Sequence, residues 1–161
     1  MKNIIKFPLL FLLAITLLNA CSGDCDQDTK CIGVVCLNGG TCSGGNCACT
    51  TGYEGTSCET EMRAKFLGEW DGTLECNDGT SDNEYYYEFS TISGDISGMI
   101  TDEDFTCFMS SSNQFYIPAQ IDGTETLSGS GELIGNTLTM NLKIEYSDGT
   151  PTLECTFIGT K

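Results

Sequence analysis

The sequence contains no histidine, and only seven of its 161 residues are lysine or arginine. Without an imidazole the chain lacks Ser-His-Asp and Cys-His catalysis, histidine-ligated zinc and the commonest general base near neutral pH. Its 23 acidic residues give a formal net charge of −16, which repels the phosphates of nucleic acid. The composition therefore indicates a protein that is not an enzyme, with no cofactor and no nucleic-acid partner.

The start of the chain has no apolar run long enough to cross a membrane. Two lysines precede an apolar stretch at residues 7–18 that only Pro8 and Thr16 interrupt. A spanning helix needs about 20 apolar residues. A basic start and a shorter apolar run are typical of a secretory signal peptide, which we assign to residues 1–20.

The residues after this run resemble the bacterial lipobox. They read Leu18-Asn19-Ala20-Cys21, and the resemblance implies cleavage before Cys21 and lipidation of that cysteine, so that the partner of the mature chain is a membrane. Ordinary secretion, with Cys21 as one more half-cystine, is the alternative.

Residues 21–30 combine the lipidated cysteine with a short acidic tether. Ser22 beside the anchor resembles the pattern that permits transfer to the outer membrane, and the acids that follow resemble surface-export signals of Gram-negative lipoproteins. A merely solvated linker explains these acids equally well. We expect an outer-membrane lipoprotein that faces either the cell surface or the periplasm.

Residues 31–59 form a segment dense in cysteine. Six cysteines follow the pattern C-x4-C-x5-C-x4-C-x-C-x8-C, and spacing alone leaves 15 connectivities open. The stretches Asn38-Gly39-Gly40-Thr41-Cys42 and Gly52-Tyr53-Glu54-Gly55 resemble the epidermal-growth-factor-like (EGF-like) family. That resemblance implies the pairs Cys31–Cys42, Cys36–Cys47 and Cys49–Cys58, in a rigid spacer or recognition module.

Calcium-binding members of that family carry acidic ligands before the first cysteine. This chain has Lys30 there, and residues 43–46 supply no carboxylate. Hard cations require several oxygen ligands. We therefore expect no metal in this module.

Residues 66–161, after a linker at 60–65, alternate apolar and polar side chains with period two. The alternation predicts a mainly β domain of about eight strands at 66–76, 84–92, 95–101, 104–109, 113–119, 125–134, 136–146 and 152–159. Short links favour an antiparallel meander, and closure into a barrel removes exposed edges. In a barrel this small we expect side chains to fill the interior.

The first strand contains Gly68-Glu69-Trp70, which resembles the G-x-W signature of lipocalins and other calycin barrels. In those families the tryptophan closes one end of the barrel and a basic side chain near the last strand packs over it. The resemblance assigns these roles to Trp70 and Lys161, although an arginine is more usual at the second position.

Four cysteines remain: Cys25, Cys76, Cys107 and Cys155. Cys76 lies on the apolar face of the first strand and Cys155 on that of the last, so closure of the meander predicts a Cys76–Cys155 disulfide. Cys107 is then a buried thiol or the partner of Cys25.

Acidic loops and a tyrosine run are weaker signals. Residues 78–84 and 102–104 are rich in acids. A divalent-cation site or glycosidase chemistry is one interpretation of these acids, but acids in solvated turns are commoner. Tyr85, Tyr86 and Tyr87 offer a stacking face for sugars or ordinary cross-strand packing.

Two functional hypotheses follow. The first is a lipid-anchored binding or adhesion protein with a protein or glycan partner. The alternative is a lipocalin-like carrier, or periplasmic envelope factor, that binds a small apolar ligand inside the barrel. A cavity of about 300 Å³ or more favours the carrier.

Overall fold

The computed structural model describes residues 29–161. The signal peptide, lipidation of Cys21, residues 21–28 of the tether and the partner of Cys25 lie outside the described residues and stay predictions.

Three disulfides organise the first part of the described chain, residues 31–58, here called the disulfide segment. They join Cys31 to Cys42, Cys36 to Cys47 and Cys49 to Cys58, the same pairs that the family resemblance implied. A 3-10 turn at Thr29–Cys31 leads into the segment. The segment contains a hairpin of β1 (Thr41–Ser43) and β2 (Asn46–Ala48), and β3 (Tyr53–Glu54), which pairs with β4 (Thr60–Glu61).

The disulfide segment has little apolar core. Its apolar side chains Ile32 and Val35 are 73% and 68% exposed, whereas the half-cystine Cys58 is fully buried. So short a stretch cannot offset its chain entropy by apolar burial alone, and the cross-links supply the constraint.

Residues 60–65, expected to be a linker, are structured. β4 occupies their start, and a 3-10 helix follows at Met62–Lys65. Arg63 on this helix is only 7% exposed. The sequence did not predict the short 3-10 turns or the pairing of β3 with β4, because neither produces a periodic apolar pattern. Among residues 29–161, no helix is long and apolar enough to cross a bilayer.

Residues 68–160 form a closed eight-stranded antiparallel β-barrel, which confirms the predicted fold class. Each strand pairs with the next, and the last pairs with the first through Cys155 opposite Cys76. The strands are β5 (Gly68–Cys76), β6 (Ser81–Thr91), β7 (Gly98–Thr101), β8 (Thr106–Ser111), β9 (Gln114–Asp122), β10 (Glu125–Ile134), β11 (Thr137–Tyr146) and β12 (Leu153–Thr160).

The strands start and end close to their predicted positions. β10 has the predicted bounds, whereas β6 begins at Ser81 instead of residue 84. Residues 81–84 are polar and lack the alternating apolar pattern that predicted the strands. They nevertheless pair with β5, with Ser81 opposite Glu75 and Asp82 opposite Leu74. Phe66, predicted to start the first strand, follows the 3-10 helix instead and is fully buried.

The predicted apolar faces all point inward. The buried cluster contains aromatic, aliphatic and sulfur side chains: Phe66, Trp70, Tyr87, Phe89, Met99, Phe105, Cys107, Phe115, Ile117, Leu138, Met140, Leu142, Cys155 and Phe157. Gly131 shares this inner face, and a Cβ there would collide with the Phe115 ring, so the missing side chain makes room for that aromatic.

A pair of glycines lies where the barrel closes. Gly72 of β5 is opposite Gly159 of β12. A Cβ at Gly72 would collide with the Ile158 carbonyl and the Gly159 backbone. Glycine here permits the close approach of the first and last strands that closure requires.

Candidate functional site: the two ends of the barrel

One end of the barrel is sealed by aromatic rings. Trp70 is 1% exposed, and its Nε1 donates a 2.7 Å hydrogen bond to the Phe66 carbonyl. Phe115 packs edge-to-face against Phe66, with ring centroids 5.3 Å apart. Lys161 places its Nζ 4.6 Å from the centroid of a Trp70 ring and donates to the Leu67 carbonyl at 2.7 Å. We call this the closed end, and it has the arrangement that the G-x-W resemblance implied for Trp70 and Lys161.

Hydrogen bonds from Arg63 connect the chain that precedes the barrel to the closed end. Its Nη1 donates to the carbonyl oxygens of Asp95 and Gly98, both at 2.6 Å, and its Nε donates to the Glu61 carboxylate at 3.0 Å. Asp95 lies in the loop between β6 and β7, and Gly98 is the first residue of β7. A buried guanidinium needs such partners, because an unpaired buried charge is costly.

The opposite end of the barrel is open and contains a cavity of about 720 Å³, here called the cup. It lies among the ends of the strands near the turns that join β5 to β6, β7 to β8, β9 to β10 and β11 to β12. Its apolar wall consists of Leu74, Phe105, Leu127, Leu142, Ile144 and Leu153, together with the Cys76–Cys155 disulfide.

The expectation of a completely filled interior is therefore wrong. The rings of Phe66, Trp70, Phe89 and Phe115 pack together in the closed half. The open half is lined by leucine and isoleucine side chains together with Tyr85, Tyr87 and Phe105, which leave volume between them. The division of the interior into a packed half and a half with a cavity cannot be predicted from strand number and chain length. It depends on which strand ends lie next to each other once the barrel closes.

A hydrogen bond links the interior wall of the cup to its rim. The Tyr85 hydroxyl donates to the Glu103 carboxylate. Burial, followed by the hydrogen bond to Glu103, raises the pKa of Tyr85 to about 12. Burial also raises the pKa of Tyr87. Both phenols therefore stay protonated at neutral pH and present polar hydrogens and aromatic rings together.

The three tyrosines divide between the two faces of β6. Tyr85 and Tyr87 point inward, with ring centroids 5.2 Å apart, whereas Tyr86 points outward and is 50% exposed. Tyr87 also packs edge-to-face against Phe157 at 5.0 Å. The run is thus a wall of the cup plus one surface ring, and it does not form a single stacking face.

Four carboxylates line the cup: Glu103, Asp104, Asp122 and Glu125. No lysine or arginine lines it, and none of these four acids forms an ion pair within residues 29–161. The rim of the cup is therefore negative, with an apolar wall beneath it.

Other acids near this end serve as turn caps. The Asp78 carboxylate accepts the Thr80 amide at 2.8 Å, and the Asp148 carboxylate accepts the Thr150 amide at 2.9 Å. Hydrogen bonds to Thr80 and Thr150 lower the pKa of Asp78 and Asp148 respectively. Within residues 29–161, no three acidic or cysteine side chains come close enough together to hold a metal ion.

The cysteines of the barrel have two different states. Cys76 and Cys155 form a disulfide in the cup wall, with Cα atoms 4.0 Å apart, as predicted. Cys107 is a free thiol on β8 and is fully buried. Burial raises the pKa of Cys107 to about 12, so this thiol is not an activated nucleophile.

The sequence pattern indicated the disulfide cysteines, Trp70 and Lys161, but it did not indicate the cup. Glu103 was noted only as one acid of a loop, and Asp122 and Glu125 were not noted. Their common signal is a position at or next to the end of an apolar strand, which most surface acids share. A meander places alternate turns at the same end, but only barrel closure arranges them around one opening.

Comparison of the chain with known protein families found no matching family model, and comparison with curated proteins found no significant match. The class is therefore defined by fold and site. The chain is a mainly β protein in which a disulfide-rich segment precedes a closed eight-stranded antiparallel barrel with a ligand-sized cup. This architecture is compatible with a lipocalin-like barrel.

Proposed function

We propose that this protein is a non-enzymatic, lipid-anchored component of the bacterial cell envelope whose barrel binds a small ligand in the cup. The cavity of about 720 Å³ carries the proposal. It lies within the roughly 300–1,000 Å³ range of small-molecule sites, and it combines apolar walls with a few convergent polar groups, as such sites do. The carrier hypothesis is thereby favoured over simple adhesion.

The anchor and the module complete this proposal. The lipobox-like Leu18-to-Cys21 sequence supports lipidation at the outer membrane, and the EGF-like spacing and disulfide pairs support a rigid spacer between lipid and barrel. Arg63 contacts the loop between β6 and β7, at the closed end, so the spacer meets the barrel away from the mouth of the cup. Such an arrangement leaves the mouth accessible.

Binding in the cup is tested with a neutral apolar dye whose fluorescence rises in a dry pocket. The purified full chain is expected to bind about one equivalent with micromolar affinity. Leu142→Trp adds an indole to the wall and should abolish the signal, whereas Tyr86→Trp adds one on the outer face and should leave it unchanged. Equal binding by wild type and the folded Leu142→Trp variant would contradict binding in the cup.

A second candidate function, adhesion, has its own observation. Phe108 and Tyr116 stack on the outer face of β8 and β9 with ring centroids 5.8 Å apart, and Tyr116 is 47% exposed. Exposed aromatic rings of this kind suit a protein or glycan partner. Binding of glycans or host-surface protein that is lost in Tyr116→Ser but kept in Leu142→Trp would favour adhesion.

A further inference from the structure

We propose that the cup selects organic cations with an apolar tail, such as alkylammonium compounds, over neutral and anionic amphiphiles of the same length. This inference rests on the proposed binding function and names its ligand class. It is carried by the juxtaposition of an apolar cavity, two inward tyrosines and an unpaired acidic rim.

The charges at the mouth provide the first argument. Glu103 and Asp104 come from the β7–β8 loop, whereas Asp122 and Glu125 flank the β9–β10 turn, so two separate loops place carboxylates on one opening. A negative rim over low-dielectric walls concentrates cations and repels anions. An anionic amphiphile such as a fatty acid therefore meets an electrostatic barrier at this mouth.

The distribution of positive charge is the second argument. Arg63 and Lys161 lie at the closed end, and Lys65 pairs with Glu54 at 2.6 Å. Lys143, on β11, pairs with Glu145 at 2.8 Å and does not line the cup. The barrel thus carries its basic groups away from the cavity, although its acids occur at both ends.

The tyrosines provide the third argument. Tyr85 and Tyr87 line the cavity, and the Tyr85 hydroxyl donates a hydrogen bond to Glu103. An ammonium group near Glu103 gains attraction from the carboxylate and from the ring faces together. The Tyr85 hydroxyl already satisfies one oxygen of Glu103, which orients the carboxylate for a ligand.

The wall explains why the cation needs a tail. The wall side chains Leu127, Leu142 and Leu153 have no oxygen atoms that could replace the water around a bare ion. Within the described residues, no three potential ligands lie close enough together to bind a metal. Transfer of an alkyl chain to this wall contributes about 0.8 kcal/mol per methylene in the area-based view. The head group and the tail are therefore recognised by different layers of the same cavity.

The test is displacement of the neutral dye from the full chain by decylammonium, decanol and decanoate, all below their aggregation limits. We expect decylammonium to compete about tenfold better than decanol, and decanoate to compete least. Added salt should reduce the preference for decylammonium, because exposed charges are screened.

Charge variants locate the preference. Glu103→Gln keeps a carbonyl acceptor for Tyr85 and should weaken decylammonium competition about fivefold, as should the pair Asp122→Asn and Glu125→Gln. Glu69→Gln removes one charge from an exposed position near the closed end and is the matched control. Dye affinity should change little in all of them, which shows that each variant remains folded.

The outcomes separate the two proposals. Dye binding with the order decylammonium, decanol, decanoate supports cation selection. Dye binding with equal competition by all three, or an unchanged preference in the cup variants, overturns cation selection and leaves cup binding intact. Failure of the dye and all three amphiphiles to bind overturns both.

Discussion

The two ends of this barrel are built from the same strands but are stabilised in different ways. The closed end is packed with the rings of Phe66, Trp70 and Phe115 and held by hydrogen bonds from Trp70 and Arg63. The open end has a cavity lined by aliphatic side chains and the rings of Tyr85, Tyr87 and Phe105, and a disulfide joins the first and last strands there. Packing stabilises one end, and a covalent link stabilises the end that must remain partly empty.

This division explains why the cup does not require a stable core of its own. An unfilled cavity forfeits dispersion contacts that a packed core has. The Cys76–Cys155 disulfide closes a long chain segment, of sequence separation 79, at the place where that loss occurs. Variants at each end should therefore lose stability for different reasons.

The largest expected effect is at the closed end. Trp70→Ala should lower the free energy of unfolding by about 4 kcal/mol, because it deletes a buried indole and leaves a cavity. Urea denaturation followed by circular dichroism measures the loss. Tyr86→Ala, on the exposed face of the neighbouring strand, should cost less than about 1 kcal/mol. Similar costs for the two variants would contradict the importance of packing at the closed end.

The next effect is at the open end. Replacing Cys76 and Cys155 together with alanine should cost about 3 kcal/mol, since the unfolded chain regains the entropy of a long loop. Amide hydrogen exchange should accelerate first near residues 74–82 and 153–157, while Gly68 to Gly72 stays protected. Cys49→Ala with Cys58→Ala is the control, and it should leave exchange in β5 and β12 unchanged. Uniform acceleration around the barrel would show that the two ends are not separate.

A smaller effect is expected where the preceding chain meets the closed end. Arg63→Met should cost about 2 kcal/mol, because it removes the guanidinium donor from the carbonyl oxygens of Asp95 and Gly98 and leaves Gly98 with only the longer 3.4 Å hydrogen bond from the Ile92 amide. Limited proteolysis should then cut within residues 59–66 before the barrel opens. Lys65→Met removes only a partly exposed ion pair with Glu54 and should cost at most about 1 kcal/mol. Equal protease resistance of Arg63→Met and wild type would refute this role.

The smallest effect concerns acid. Hydrogen bonds from Ser97, with smaller contributions from Gly98 and Arg63, lower the pKa of Asp95 below its ordinary value of 3.8. The stabilisation is complete above pH 3.8 and is lost as the pH falls through the lowered folded-state pKa. Asp95→Asn keeps an acceptor, so its urea midpoint should vary less between pH 6 and about pH 2 than that of wild type. Asp71→Asn is the exposed control, and equal acid sensitivity of wild type and Asp95→Asn would count against this account.

Most of the barrel was predictable from local pattern. The alternation of Leu138, Met140 and Leu142 with polar neighbours shows one buried face, because side chains on a strand alternate between its two sides. The Cys76–Cys155 pair was predictable once a closed meander was assumed. Arg63 was not predictable, since nothing local distinguishes it from a solvated arginine in a linker.

The amino-acid sequence by itself determined which side chains face the interior, where the chain turns and which cysteines are available to cross-link it. These are local properties of period, turn chemistry and residue type. The tertiary structure alone decided that the interior divides into a packed end and a cup, and that Glu103, Asp122 and Glu125 surround one opening. Glu103 lies in the β7–β8 loop, whereas Asp122 and Glu125 flank the β9–β10 turn. Their arrangement around a common mouth is set by barrel closure and strand register, to which every strand contributes.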